Sequence, residues 1–135
     1  MLPTWPQGTP AVLCVAGPHA IPVSSYMRTG DDRIAVALGA RRETLARLRE
    51  DPAAALCVLG PGVAFTAHCH ASVVREPMQA AAGNVAVELR VERVQDHLAD
   101  GRTELLDGAR WRWSDVEAAA LQPRILAELS TLRRD

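Results

Sequence analysis

The sequence contains no lysine; all 15 of its Lys/Arg positions are arginine. Set against 16 Asp and Glu, these leave a formal net charge of −1 with the two signs interspersed, so the electrostatic footprint of a nucleic-acid binder is missing. Aromatic side chains are scarce too: one Phe, one Tyr and three Trp. The core must therefore be built from Ala, Val and Leu, and a small domain so poor in large side chains stands to gain further burial by dimerising. No apolar run approaches the roughly 20 residues of a membrane helix. The first ten residues carry three prolines and no basic start, unlike a secretory leader. Cysteines number three, and Cys14, Cys57 and Cys69 each lie inside an apolar stretch. That usage fits reduced core thiols and a cytoplasmic location. A dinucleotide-binding GxGxxG, a P-loop, a CxxC pair and a serine-hydrolase elbow are all missing. Without repeats or linkers, residues 1–135 read as one domain.

What is present is organised around Arg33-Ile-Ala-Val-Ala-Leu38, Gly39-Ala-Arg-Arg42 and the amphipathic stretch from there to Glu50. Ile34, Val36 and Leu38 alternate with Ala35 and Ala37, so one face of a strand is bulky and the other a flat pair of methyl groups. Arg41 and Arg42 then fall at a helix start, where free backbone N–H groups and the macrodipole favour an anion. A guanidinium fork can bond two oxygens of one phosphate. The alternative is that both are solvated charges at the helix end.

The remaining chain reads as a series of strands. Residues 1–10 form a loosely attached arm anchored by Trp5. Strands are expected over 11–16 and 19–27, the second at an edge or bulged because Pro22 cannot donate to a ladder. Residues 28–32 make a hairpin turn, a helix spans 41–50, and a strand spans 53–59. Residues 63–73 alternate most clearly, with Thr66, His68, His70 and Ser72 on the polar face. His68 and His70 form a possible metal pair but lack a third ligand nearby, which favours a solvated or interface face. A strand over 84–95 slips phase at Val94, implying a bulge near Glu92 or Arg93. His97 belongs to a polar connection, Trp111 and Trp113 share one face of a short strand over 109–113, and Ser114–Glu117 matches a capping box. The C-terminal helix over 114–134 is broken or restarted at Gln122-Pro123. Its Ile125, Leu126, Leu129 and Leu132 stripe packs across a barrel end or against a second subunit.

In order and spacing these elements resemble the pyridoxamine 5′-phosphate oxidase-like, FMN-binding split-barrel family. The resemblance runs from about Ala11 to Gln95. It rests on Pro18-His-Ala-Ile-Pro-Val-Ser24, Arg33 to Leu38, Gly39-Ala-Arg-Arg-Glu-Thr-Leu45, Leu48-Arg-Glu-Asp-Pro52 and Gly62-Val-Ala-Phe-Thr-Ala67. It implies a mainly β fold, a six-stranded antiparallel split barrel with flanking helices, working as a homodimer with the cofactor in a groove between subunits. By position, Arg41 and Arg42 would hold the cofactor phosphate. Pro22, Val23 and Ser24 would line the ring and ribityl chain through their backbone, with Val36 and Ala37 beneath. The implied function is an FMN-binding oxidoreductase acting on a small organic substrate. The alternatives are a reductase using the deazaflavin F420, or a non-catalytic binder of flavin or haem, with His68, His70 and His97 as the feature favouring haem. Ser24, Tyr26 and His68 are polar residues near the expected groove, and none is assigned as a proton donor. Three departures stand out: a C-terminal helix replaces the basic segment with which the authentic oxidase grips its substrate phosphate, arginine stands at 42 where lysine is common, and Cys69 stands where glycine is common.

Overall fold

The computed structural model describes residues 2–134. Seven strands and two helices follow in the order β1 (Ala11–Val15), β2 (His19–Val23), β3 (Tyr26–Gly30), β4 (Arg33–Gly39), α1 (Glu43–Glu50), β5 (Ala53–Gly60), β6 (Val63–Arg75), β7 (Asn84–Asp96) and α2 (Val116–Ser130). They form one antiparallel sheet in the order β2-β1-β5-β6-β7-β4-β3. The two edge strands are consecutive in sequence, joined only by Ser24 and Ser25. A two-residue link spans about 10 Å at most, so the sheet has to curl until its edges meet there. The product is a split barrel, its seam stitched by Ala37 N–H donating to the Ser25 carbonyl at 2.9 Å.

This seam corrects the single strand expected over 19–27. The chain leaves β1's side at Ser24 and joins β4's side at Tyr26, so one continuous run becomes two strands and the barrel has seven rather than six. β3 also consumes residues expected in a turn, leaving Asp31 and Asp32 as the reversal. The bulge expected near Glu92 is present: His68 faces Arg93 and Cys69 faces Val91, leaving Glu92 without an opposite number.

Alternation along the strands fills the barrel. Leu13, Ile34, Val36, Leu56, Val58, Phe65, Val85 and Leu89 are buried in one cluster. Each such side chain contributes about 1.5–3 kcal/mol on burial. The arm is part of this core. Leu2 is buried, Trp5 lies 6.0 Å from the Tyr26 ring and 5.5 Å from Phe65, and the Tyr26 hydroxyl donates to the Thr9 carbonyl. A loosely attached arm is therefore wrong; residues 2–9 plug the barrel, supplying bulk that its small side chains lack.

On the outer side of β3, β4 and β7, Met27, Ala35 and Ala86 lie under Ile125 and Leu129 of α2, with Met78 beside them. The helix runs through Pro123 without a break and is capped by Asp115, whose carboxylate accepts the Glu117 N–H, rather than by Ser114. One missing N–H is outweighed by the buried stripe below it. Residues 109–113 form no strand; Trp111 instead donates its indole N–H to the Gly8 carbonyl at 3.1 Å. Among the described residues, no helix is long and apolar enough to cross a membrane.

Candidate functional site

The seam opens a cleft of about 120 Å³ between the end of β2 and the end of β4, lined by Pro22, Val23, Ser24, Ala37, Gly39 and Arg42 among others. Its shape follows from small residues. Ala37 points outward opposite Leu38 and leaves the floor low. At Gly39 an added Cβ would stand 2.9 Å from Arg42 Cγ, so the missing side chain lets the arginine stem lie across the strand end. Arg42 is the N-cap of α1, with extended backbone and no side-chain cap; the helix thus begins at Glu43, not Arg41. The residue that opens α1 therefore also lines one end of the cleft.

The start of α1 is locked to the β1–β2 turn. His19 Nε2 is 3.0 Å from Thr44 Oγ1, and Glu43 accepts from Arg47 Nε at 2.6 Å. The Arg47 hydrogen bond and charge, with His19 3.5 Å away, hold the Glu43 carboxyl below the usual carboxylate range. Arg47 also donates to the Ala16 carbonyl, and its guanidinium occupies the space a Cβ on Gly17 would need; Gly17 itself sits at φ +128°. Such a φ suits glycine alone.

The seam itself is held from α2. Ser25 Oγ donates to Gln122 Oε1 at 2.6 Å, and Gln122 Nε2 donates to the Ser24 carbonyl at 3.2 Å. Sequence reasoning treated Gln122 only as part of a helix break and missed this role.

Of the seven residues singled out from sequence, the structure brings Pro22, Val23, Ser24, Ala37 and Arg42 into the cleft. Val36 is in the barrel core, fully buried between Ile34 and Leu38 on the inward face. Arg41 and Arg42 are both exposed, and of the two Arg42 lines the cleft while Arg41 does not. The flat alanine surface is divided: Ala37 floors the cleft, whereas Ala35 is covered by α2. Tyr26 points into the core, where burial pushes its hydroxyl up from the ordinary value. Cys69 also faces inward, donating to the Ala67 carbonyl, and burial pushes its thiol up to about 12. His68 pairs with Gln95 and His97 with Thr66 on the outer face. Among the described residues, no three His, Cys, Asp or Glu side chains are grouped to hold a metal.

A second cleft of about 290 Å³ lies against the same edge, lined by Pro10, Ala11, Pro22, Val23, Ser24, Ala109 and Trp111. Trp111 Nε1 donates to the Gly8 carbonyl at 3.1 Å, and Trp113 meets Trp111 edge-on at 5.3 Å.

Strand order, seam and flanking helices define the fold as a split barrel of the pyridoxamine 5′-phosphate oxidase-like type. Solved structures with this fold include a candidate pyridoxamine 5′-phosphate oxidase from Listeria innocua, at 15% identity and a TM-score of 0.56, covering 67% of this chain and 90% of that one. The styrene monooxygenase flavin reductase of Pseudomonas putida S12 matches at 16% identity and 0.55, over 68% and 81%. An F420 reductase matches at 12% identity and 0.57, over 66% and 90%. No protein-family model and no curated protein sequence matches the chain.

Proposed function

We propose that the protein binds FMN at the seam and acts as a flavin-dependent oxidoreductase on a small organic substrate. The observation that carries this reading is the Arg42 side chain laid over Gly39 at the mouth of the cleft, opposite the Pro22–Ser24 edge. A phosphate fits that end: Arg42 offers two parallel donors, and the helix start adds N–H groups. A polyol chain fits the middle, where the Ser24 hydroxyl and the edge backbone offer hydrogen bonds. Flavin reductases among the structures of the same fold support this choice of cofactor.

When bound, the flavin would supply the hydride or electron chemistry. The chain's own groups bind, orient and shield. Arg42 neutralises the phosphate, Ala37 lets the ligand approach the sheet, and Gln122 fixes the Ser24 carbonyl so that the edge keeps one geometry. A second copy of the chain covering the open side of the seam belongs to the same reading.

The test is a visible-spectrum titration of purified protein with FMN, F420 and haem separately, repeated for Arg42→Ala and Arg41→Ala. FMN should bind, and Arg42→Ala should weaken it about 10- to 100-fold, the worth of one charge-assisted pair. Arg41→Ala should change it less than threefold. Preference for F420 would replace the cofactor and keep the site. Haem binding alone, or indifference to Arg42→Ala, would overturn the assignment.

A further inference from the structure

The groove does not end at Ser24. The cleft holding Arg42 is about 120 Å³, room for a phosphate and a short polar chain, whereas the cleft beyond the same edge is about 290 Å³. Small-molecule sites begin at about 300 Å³, so a ligand with a fused ring system needs the second space. The two share Pro22, Val23 and Ser24, and the second adds Pro10, Ala11, Ala109 and Trp111. Among the described residues no titratable side chain lines it, and its one indole N–H is already given to Gly8. Such a lining favours an uncharged, flat occupant.

Trp111 stands on the connection between β7 and α2, residues 97–115, which holds neither helix nor strand. Unstructured connections longer than about 12–15 residues are uncommon in compact domains and are usually either functional or linker segments. This one follows a fixed path. Gly62 N–H donates to the Leu105 carbonyl at 2.8 Å, and Gly108 lies so close to Leu59 that an added Cβ would meet its carbonyl oxygen at 2.9 Å. The path leaves Trp111 and Trp113 40% and 38% exposed, in a chain with five aromatic residues. Two of those five are thus placed at the surface, one of them lining an apolar cleft, when the core is short of bulk.

We infer that the two clefts are one groove and that Trp111 is its ring-positioning residue: the flat ring of the ligand lies against the indole while its phosphate is held at Arg42. The inference rests on the flavin reading above and adds a wall from outside the barrel. The bond to Gly8 and the edge contact with Trp113 hold the indole in one orientation, so little side-chain freedom is lost on stacking.

FMN and riboflavin separate the two ends of the groove, since riboflavin has the ring and ribityl chain without the phosphate. Both are titrated by calorimetry and by flavin emission into the wild type, Arg42→Ala, Trp111→Ala and Trp111→Phe. Arg42→Ala should weaken FMN and leave riboflavin within threefold. Trp111→Ala should weaken both about tenfold or more, the usual scale for one lost stacking contact. Trp111→Phe should stay within threefold for each. Emission of the bound flavin should be quenched in the wild type and recover in Trp111→Ala, a signature that a purely structural role would not produce. Loss of FMN affinity in Arg42→Ala with both flavins bound normally and equally quenched in Trp111→Ala would overturn the ring site alone. Failure of the wild type to bind either flavin would overturn the cofactor reading and the ring site together.

Discussion

Glu128 holds α2 to the barrel, and removing its charge tests how firmly the seam is supported. Its side chain is only 8% exposed, yet it is ionised among donors: Ala80 N–H at 2.6 Å, Gln79 N–H at 3.0 Å and Arg75 at 3.2 Å. Burial alone would raise its pKa; the bonds from Ala80, Gln79 and Arg75 outweigh burial and leave it below the usual carboxylate range. In Glu128→Gln one oxygen still accepts, but the new amide N–H₂ faces a donor. Losing one bond to a charged acceptor and leaving a buried N–H unpaired costs about 2 kcal/mol, or about 6–8 °C in melting temperature for a domain of this size. The pH dependence has a definite sign. A carboxyl whose folded pKa is depressed contributes stability above its unfolded pKa and loses it as pH falls through the folded value. The wild type should therefore melt well above Glu128→Gln at pH 7, with the gap closing on acidification below about pH 4. Differential scanning calorimetry of both proteins from pH 7 to pH 3.5 is the assay. Equal melting temperatures at pH 7, or a gap that widens on acidification, would refute the account of how α2 is anchored.

Gly39→Ala should leave the melting temperature nearly unchanged, because the added methyl meets the flexible Arg42 stem rather than backbone; FMN affinity should nonetheless fall severalfold as the guanidinium is pushed from the cleft, read by the same titration. Ala37→Leu and Ala35→Leu lie two residues apart and should fail differently. The first fills the cleft, abolishing flavin binding at near-normal stability, whereas the second overpacks the α2 contact at a cost of about 1–3 kcal/mol in urea unfolding.

Most of the barrel was legible because alternation and Gly/Pro punctuation are local signals. β5, β6 and β7 lie close to the expected spans, and the phase slip at Val94 located the bulge at Glu92. The failures are all decisions made at a distance. Whether 19–27 is one strand or two depends on where the curled sheet brings its edges together, which no window of ten residues records. Trp111 and Trp113 alternate like a strand, but their segment is held by a bond to Gly8 and an edge contact between the two rings, neither of which the local pattern records. The arm carries prolines and looks detached, yet Leu2 and Trp5 are the bulk that plugs the barrel. Arg42 and the Pro22–Ser24 edge were legible as neighbours of a strand end. Val36 was placed beneath the ligand by resemblance, although alternation alone puts it inward with Ile34 and Leu38. Gln122 reaches residues 97 and 98 positions away and left no trace in the sequence.

The alanine pair on β4 explains why helix and groove coexist on one face. Both methyl groups point out of the barrel, and a long side chain at either place would hold any layer off the sheet. At Ala35 the short side chain lets α2 descend until Ile125 and Leu129 bury against Met27 and Ala86. That descent puts Gln122 within reach of the seam, where it binds Ser25 through its oxygen and Ser24 through its nitrogen. One strand turn later Ala37 leaves the space open, and the edge that Gln122 has fixed becomes the wall of the cleft. Helix α2 therefore shapes the cleft from outside it: through Gln122 it sets where the Ser24 carbonyl stands, and so where the edge lies that faces Arg42.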